Sequence, residues 1–385
     1  MGHWIFNQDH EVFRGSIRRF VEKEIVPFIE GWEKAGEIPR FIVQRTGDLG
    51  FLGAKFPEKY GGSGGTFIDD AIVVEEFARC GSGGVATALM ATTSIAVTPI
   101  SRFGSEDQKQ RYLKPVIEGR MTGALGITEP EAGSDVASLR TVARREGDEY
   151  VISGSKMFIT NGANADFFCV AAKTDMTIGY KGISLFIVDT KTPGFSVGRR
   201  LKKLGWRASD TAELFLDNVR IPVANRIGEE NMGFYYVMQN FQWERIVMAL
   251  SSVTMADSAL AAAMKYSGER SQFGHPIQNF QVLRHKMVDM AVDIEKARNL
   301  TYWSLYLYQE GKECTTETTM AKSLAGEMVR RVTDATLQIF GGAGYMMEYP
   351  VQRYWRDARI MSIGGGTTQI MNEILVKQLG IVETR

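Results

Sequence analysis

The chain has 385 residues, of which 44% are hydrophobic and 23% charged, which excludes a disordered protein and suits two or three subdomains. Its 45 basic and 45 acidic residues give no net charge, so we expect neither a nucleic-acid nor an acidic-membrane partner. No uninterrupted apolar run reaches membrane-spanning length, so we expect no insertion into a membrane. The three cysteines, Cys80, Cys169 and Cys314, are far apart, which argues against disulfides and a structural zinc site. The first residues lack the pattern of a signal peptide, and we expect a bacterial-type cytoplasmic location.

The first part of the chain, to about residue 119, has helical patterns. Apolar residues of Glu11–Glu24 recur at helical spacing, and we expect Pro27 to end this helix. A second amphipathic helix is expected over Asp69–Cys80. The glycines of Tyr60–Thr66 disfavour both helix and strand, so this segment is expected to be a loop.

The pattern becomes β-like between Met121 and about Val223. Short apolar or alternating runs, separated by turn residues, predict strands over Glu149–Ile152, Asp166–Ala172, Gly182–Asp189 and Glu213–Val219. Regular turns without long intervening helices favour an antiparallel barrel or sandwich.

Helical patterns return from Gly233. The apolar stripe of Phe280–Gln309 belongs in a bundle or at a subunit interface. We therefore predict an α+β protein with an N-terminal helical domain (1–120), a middle β domain (121–228) and a C-terminal helical bundle (229–385).

Generic nucleotide, metal and hydrolase motifs have little support. A phosphate-binding P-loop is absent, and Gly81–Ala86 has the letters GxGxxA but follows a helix-like segment. The histidines His3, His10, His275 and His285 lack the spacing of metal ligands. No GxSxG nucleophile elbow accompanies a set of serine, histidine and aspartate residues.

Two segments of the β region have residues suited to a planar ring. The loop Gly126–Asp135 offers backbone N–H groups and the hydroxyls of Thr128 and Ser134. In Gly154–Gly162, period-2 alternation would place Phe158 and Thr160 on one face of a strand. An ordinary β-turn and an ordinary hairpin strand remain the alternatives.

Three C-terminal segments contain glycines or arginines that could approach a phosphate. They are Tyr266–Gly274, Gln338–Tyr345 and Arg353–Arg359, in the first of which Arg270 could pair with a pyrophosphate. Taken alone, each is equally explained as a helix end or a surface ion pair.

Taken together, the TEPEAGSD loop, the KMFITN strand, the RSQFG loop, the QIFGGAG turn and the GGT segment resemble the acyl-CoA dehydrogenase family. The resemblance covers essentially the whole chain. It implies an acyl-CoA dehydrogenase-like α+β fold: an N-terminal α-helical domain, a middle β-barrel or sandwich, and a C-terminal four-helix-bundle-like domain. It also implies a homotetramer and FAD bound between the β domain and the bundle.

The resemblance also implies which residues bind FAD. One loop would meet the flavin through Leu125, Ile127, Thr128, Gly133 and Ser134. One strand would flank the ring through Phe158, Ile159 and Thr160. The pyrophosphate and adenine would be held across a subunit boundary by Arg270, Gln272, Phe273, Gln281, Gln338 and Gly342, and the site would be completed by Thr367 and Gln369.

The catalytic base of most family members is a glutamate directly before Gly-Thr, but this chain has Gly365 there. Long-chain and isovaleryl-CoA dehydrogenases instead place the base in an E-R-[LIV] sequence, which Glu244-Arg245-Ile246 matches. Glu244 is therefore the candidate base; the alternative is a surface carboxylate paired with Arg245. The Gly365 amide would polarise the thioester, while Ser134, Phe241 and Arg245 would contact substrate.

The implied function is FAD-dependent α,β-dehydrogenation of an acyl-CoA to the trans-2-enoyl-CoA, with electrons passed to an electron-transferring flavoprotein. Loss of the usual bulk at Gly364 and Gly365 predicts a branched, long or bulky acyl group. Alternatives on the same fold are a carrier-protein-bound acyl substrate, an oxygen-using oxidase, or a non-catalytic flavoprotein subunit.

Overall fold

Short helices, one large sheet and long helices follow one another in the computed structural model, which describes residues 3–382. The α+β fold expected from the sequence is confirmed. The α-helices of the N-terminal part are α1 Gln8–Phe20, α2 Ile29–Ala35, α3 Arg40–Asp48, α4 Phe67–Ala78, α5 Gly83–Ala91, α6 Thr98–Phe103, α7 Glu106–Gln108 and α8 Lys114–Ile117.

Two expectations for this part were wrong. Pro27 does not end the first helix: the chain continues through a π-helical turn, Val21–Ile25, and a 3₁₀ turn, Val26–Phe28, into α2. Pro27 lies near the start of that 3₁₀ turn, where its missing N–H is not needed. Helix α4 is not amphipathic, because every residue from Asp70 to Ala78 is buried.

The middle part is a sheet with the strand order β6-β7-β3-β2-β4-β5-β8, and β1 also pairs with β4. It is mixed rather than antiparallel throughout, because β4 pairs in parallel with both β1 and β2. The strands are β1 Gly123–Gly126, β2 Val142–Glu146, β3 Glu149–Thr160, β4 Phe167–Lys173, β5 Ile183–Asp189, β6 Phe195–Arg200, β7 Thr211–Pro222 and β8 Arg226–Ile227.

Strand β4 lies in the interior of this sheet, with both of its faces covered. Phe167, Cys169 and Ala171 pack in one apolar cluster. Phe168 and Val170 face a second cluster on the other side of the sheet. This two-sided burial explains why the strand reads as a continuous apolar run rather than an alternating one.

Three long helices dominate the C-terminal part: α9 Gly233–Glu269, α10 Gln281–Gln309 and α11 Thr315–Phe340. A short hairpin, β9 Ser271–Gln272 and β10 His275–Pro276, precedes α10, and the chain ends with α12 Val351–Ala358 and α13 Thr368–Gln378. Small buried side chains, including Ala259, Ala297 and Ala325, let the three long helices pack closely.

Helix α9 contributes to three of the four hydrophobic cores among the described residues. Its first turns, with Tyr236 and Val237, pack against the middle sheet. Trp243 and Ile246 belong to the N-terminal core, and Met248 to the C-terminal core. Glu244 therefore lies on an element that contacts all three parts of the fold.

The segments Gly83–Phe103 and Gly233–Glu269 are long and apolar enough to span a membrane by length and composition, although no such segment was expected from the sequence. However, 89% and 61% of their apolar windows are buried inside the protein. Their position in the core accounts for their composition.

Candidate active site

The carboxyl group of Glu244 is enclosed in the protein interior. The residue as a whole is only half-buried, but its Oε2 atom is buried and receives no hydrogen bond from any residue between 3 and 382. Burial raises the pKa of Glu244 to about 7, although Arg245 and Lys322 act in the opposite direction. A carboxyl group with this pKa is suited to exchange a proton at neutral pH.

Arg245 does not form a surface pair with Glu244, as the alternative reading would require. Its side chain is 5% exposed, burial lowers its pKa, and its Nε has no partner among the described residues. Two adjacent buried charged groups with unpartnered atoms are costly in a structural role and are common where a ligand binds.

The glycine run after α12 passes directly beside this carboxylate. Gly365 has φ +61°, and a Cβ added there would lie 3.5 Å from Glu244 Oε1 and 2.5 Å from Met248 Sδ. The structure therefore brings Gly365 and Glu244 together, as expected from the sequence. Next to them, Thr367 caps α13, its Oγ1 accepting from Ile370 N at 3.2 Å, and Gln369 is exposed in the first turn of α13.

The loop after β1 is fastened to strand β3. Met157 N donates to Thr128 O at 2.9 Å, and Lys156 Nζ donates to Ile127 O at 3.2 Å. The buried Lys156 ammonium also pairs with Glu129 at 2.7 Å, and Glu129 in turn accepts from Thr141 N at 3.0 Å. This buried ion pair fixes the backbone that presents Thr128, Gly133 and Ser134.

Sequence reasoning missed Glu129 and Lys156, although both lie within the quoted motifs. The signal in the sequence was a pair of opposite charges, Glu129 in the loop and Lys156 on the strand, which could have predicted an ion pair. A strand position buried on both sides requires an ion pair for any charge it carries.

Phe158 does not follow the strand alternation expected for it. The register with β7 shifts between Lys156 and Ile159, and Phe158 adopts φ +61° and is 65% exposed. The bulge turns the ring outward, while Ile159 is buried and Thr160 is half-buried. Phe158 and Thr160 therefore do not share a face by regular pleating.

The loop after β1 also reaches helix α9. Ile127 is buried, and Leu125 and Phe241 pack against the same apolar cluster. Phe241 lies three residues before Glu244, so the loop, the base candidate and the glycine run border one region. Ser134 and Gly133 remain exposed, and nothing lies within 4 Å of a Cβ added at Gly133.

The remaining predicted FAD residues form a second group on the C-terminal helices. Arg270 N donates to Tyr266 O, and the Tyr266 ring stacks on Phe340 at 4.0 Å, which places the β9–β10 hairpin beside the end of α11. The predicted residues of this group are largely open to solvent: Arg270, Gln272, Phe273, Gln281, Gln338 and Gly342.

These residues fit a flavin dinucleotide. Phe158 and Phe273 are aromatic, exposed and in the left-handed backbone region, a combination that offers ring faces to a ligand. A Cβ added at Gly133 or Gly342 would meet no atom within 4 Å, so the backbone there is open to close approach.

Two cavities of about 220 and 190 Å³ lie elsewhere. The first is lined by charged and polar residues around Glu129 and Arg140, the second by residues around Glu33 and Arg353. Neither includes Glu244, Gly365 or any other residue predicted to contact substrate, so we do not place the acyl group in them.

The chain matches three domain descriptions of one family. They are acyl-CoA dehydrogenase N-terminal domain over residues 7–120, middle domain over 124–219 and C-terminal domain over 231–380. It is 42% identical to the short-chain-specific acyl-CoA dehydrogenase of Clostridium acetobutylicum over 96% of this chain and 97% of that protein.

Two further similarities are informative. The chain is 36% identical to the mitochondrial long-chain-specific acyl-CoA dehydrogenase of Rattus norvegicus, over 97% of this chain and 87% of that protein. A solved structure described as the electron transferring flavoprotein of Acidaminococcus fermentans is 41% identical with a TM-score of 0.95, covering 98% of this chain and 100% of that one.

Proposed function

Because the chain belongs to the acyl-CoA dehydrogenase family, we propose that it oxidises an acyl-CoA thioester to the trans-2-enoyl-CoA with FAD. The observation that supports this most directly is the enclosed Glu244 carboxylate beside the Gly365 backbone. Oxidation between the α and β carbons needs a base for the α-proton, and Glu244 is the proposed base.

The α-proton of a thioester is far too weakly acidic for a free carboxylate to remove. Two features of the site reduce this difficulty. The Gly365 N–H is proposed to donate to the thioester oxygen and stabilise the negative charge that develops there. Burial raises the pKa of Glu244 to about 7, which makes its carboxylate a stronger base than an exposed one.

FAD supplies the acceptor for the hydride that leaves the β-carbon. We propose that the ring is held by the loop after β1 and by Phe158–Thr160. The second group of residues, on the C-terminal helices, is proposed to bind the FAD of a neighbouring subunit, which requires at least a dimer and fits the tetramer expected for the family.

For the domains we propose the boundaries 1–120, 121–228 and 229–385, and the cytoplasmic location stays a prediction.

We propose that this chain belongs with the long-chain and isovaleryl-CoA dehydrogenases, because its candidate base is Glu244 rather than a residue at position 365. Three consecutive glycines, Gly364–Gly366, place no side chain of their own beside Glu244, and the neighbouring Met248 is flexible, which in our proposal favours a branched, long or bulky acyl group. Enzymes named for short-chain and for long-chain substrates are 42% and 36% identical to this chain, so its relatives span both acyl lengths.

An electron-transferring flavoprotein is the proposed electron acceptor. The support is the similarity to a structure named for such a protein and the exposed Phe158 ring, which leaves the flavin side of the site open to a partner. Peroxide release during turnover in air would instead indicate an oxidase.

The proposal is tested by anaerobic reduction of the purified flavoprotein with short, branched and long acyl-CoAs, with wild type beside Glu244→Gln. We expect loss of flavin absorbance near 450 nm in wild type only, fastest with a branched or long chain. Reduction of both proteins would assign the base to another carboxylate. Reduction of neither would point to a carrier-bound substrate or to a non-catalytic protein.

A further inference from the structure

Lys322 is a buried lysine of helix α11 that neither the sequence motifs nor the proposed chemistry accounts for. The residue is 1% exposed, and its Nζ donates to the backbone carbonyl of Gly366. Burying an ammonium group costs several kcal/mol unless negative or polar groups surround it. Its position therefore calls for an explanation beyond packing.

The charged groups that face Lys322 come from two helices. Glu244 and Arg245 lie on α9, and Glu327 lies on α11 itself. Burial and Arg245 lower the pKa of Lys322 to about 8, while Glu244 and Glu327 act in the opposite direction. Glu327 already accepts hydrogen bonds from Arg330 at 2.8 Å and Thr368 at 2.9 Å. Glu244 has no such bond at Oε2 among the described residues, so it is the carboxylate with most to gain from the lysine charge.

The carbonyl that accepts the hydrogen bond from Lys322 belongs to a run of glycines, whose backbone has few steric restraints. Gly364–Gly366 is a run of three glycines, and Gly365 and Gly366 have φ values of +61° and +98°. Such a run has many accessible backbone conformations, only one of which directs the Gly365 N–H as the reaction requires. A hydrogen bond to the next carbonyl along the chain selects among them.

We propose that Lys322 is a positioning residue for proton abstraction: it fixes the glycine run through the Gly366 carbonyl and its charge favours the ionised form of Glu244. This inference rests on the proposed function. In the step concerned, the α C–H bond breaks, the proton passes to Glu244, and the electron pair moves into the thioester enolate. Lys322 itself contacts neither the substrate nor the transferred proton.

Proton abstraction can be observed separately from hydride transfer with a 3-thiaacyl-CoA, because sulfur replaces the β-carbon and no hydride is available. The enolate is detected by its long-wavelength absorbance, and its formation is titrated between pH 5 and 9. Lys322→Met removes both the charge and the hydrogen bond, Lys322→Gln removes the charge but leaves a polar amide, and Lys322→Arg keeps the charge.

The matched control is Lys55→Met. Lys55 is also buried, pairs with Asp70 at 2.6 Å, and lies 5.0 Å from the Trp243 ring rather than beside Glu244. Its loss is expected to lower thermal stability without changing the titration of the thioester enolate. A general effect of deleting a buried lysine is thereby separated from the specific one.

We expect the midpoint of enolate formation to rise by about one pH unit or more in Lys322→Met and Lys322→Gln, which is roughly a tenfold loss at pH values below the midpoint. Lys322→Arg should stay near wild type. A wild-type midpoint in both neutral variants would overturn the inference. Should Lys322→Met fail to fold, Lys322→Gln alone decides.

The two proposals fail in different ways. Enolate formation by Glu244→Gln would refute the proposed base, whatever Lys322 does. If Glu244→Gln forms no enolate and Lys322→Gln has the wild-type pH midpoint of enolate formation, the proposed base stands and only the role of the lysine is refuted.

Discussion

Replacing Gly365 by alanine tests whether the glycine run is shaped by the site. Gly365 has φ +61°, a conformation that costs a residue with a side chain about 1–2 kcal/mol. The added Cβ would lie 2.5 Å from Met248 Sδ, so the flexible methionine must move, at about 1 kcal/mol. It would lie 3.5 Å from Glu244 Oε1, an ordinary contact that leaves the carboxylate in place.

The total, about 2–3 kcal/mol, can be converted to a change in melting temperature. A chain of 385 residues has an unfolding entropy near 0.8 kcal/mol per kelvin at about 2.1 cal/mol/K per residue, so we expect the Tm to fall by about 2–4 °C. If the strain relaxes by turning the Gly365 N–H away, flavin reduction by acyl-CoA should slow on the order of tenfold to a hundredfold.

Gly364→Ala is the matched control for Gly365→Ala. Its added Cβ would meet Ile360 Cγ1 at 3.6 Å, which is ordinary contact, and its φ is not positive. Thermal scans and anaerobic stopped-flow reduction of the two holoenzymes give the comparison. Equal Tm values and rates for the two variants would refute the claim that the Gly365 backbone is constrained by the site.

Lys156→Met should lower the free energy of unfolding by about 3–5 kcal/mol, because it leaves Glu129 buried without its ion-pair partner. The same variant should retain less FAD after gel filtration. The control is Arg140→Met: Arg140 is an exposed partner of Glu131, so its loss should change the free energy of unfolding by less than about 1 kcal/mol. Phe158→Ala should leave the Tm of the apoprotein nearly unchanged, since the ring is 65% exposed, but weaken FAD binding in a fluorescence titration. Glu244→Gln should raise the Tm at pH 8 and not at pH 5. The folded-state pKa of about 7 lies above the usual 4.5, so the ionised carboxylate weakens the fold progressively as pH rises through that window.

Much of the fold could be predicted from the sequence, because periodicity and turn residues report local structure. The long helix α10 and three of the four strands in the middle part were predicted to within three residues at their ends, whereas the strand expected over Glu149–Ile152 continues as β3 to Thr160. Pro27 was misjudged because a 3₁₀ turn can accept a proline that a helix interior cannot. The parallel pairing of β4 was missed because pairing partners are distant in sequence.

The candidate site was predictable only where motifs specify it. Glu244 and Gly365 were selected from the sequence, and the structure places them side by side. Lys322 carries no local signal, because its function depends on α11 packing against a loop more than forty residues later. The outward turn of Phe158 depends on a bulge, which strand alternation does not reveal.

Exchange of the substrate's α-protons with deuterium reports directly whether Glu244 is the catalytic base. Acyl-CoA is incubated anaerobically in D₂O with wild type or Glu244→Gln, each loaded with FAD, and the recovered thioester is examined by mass spectrometry. We predict deuterium incorporation at the α-carbon with wild type and none above background with Glu244→Gln. Equal incorporation by the two proteins would contradict the assignment of Glu244 as the base.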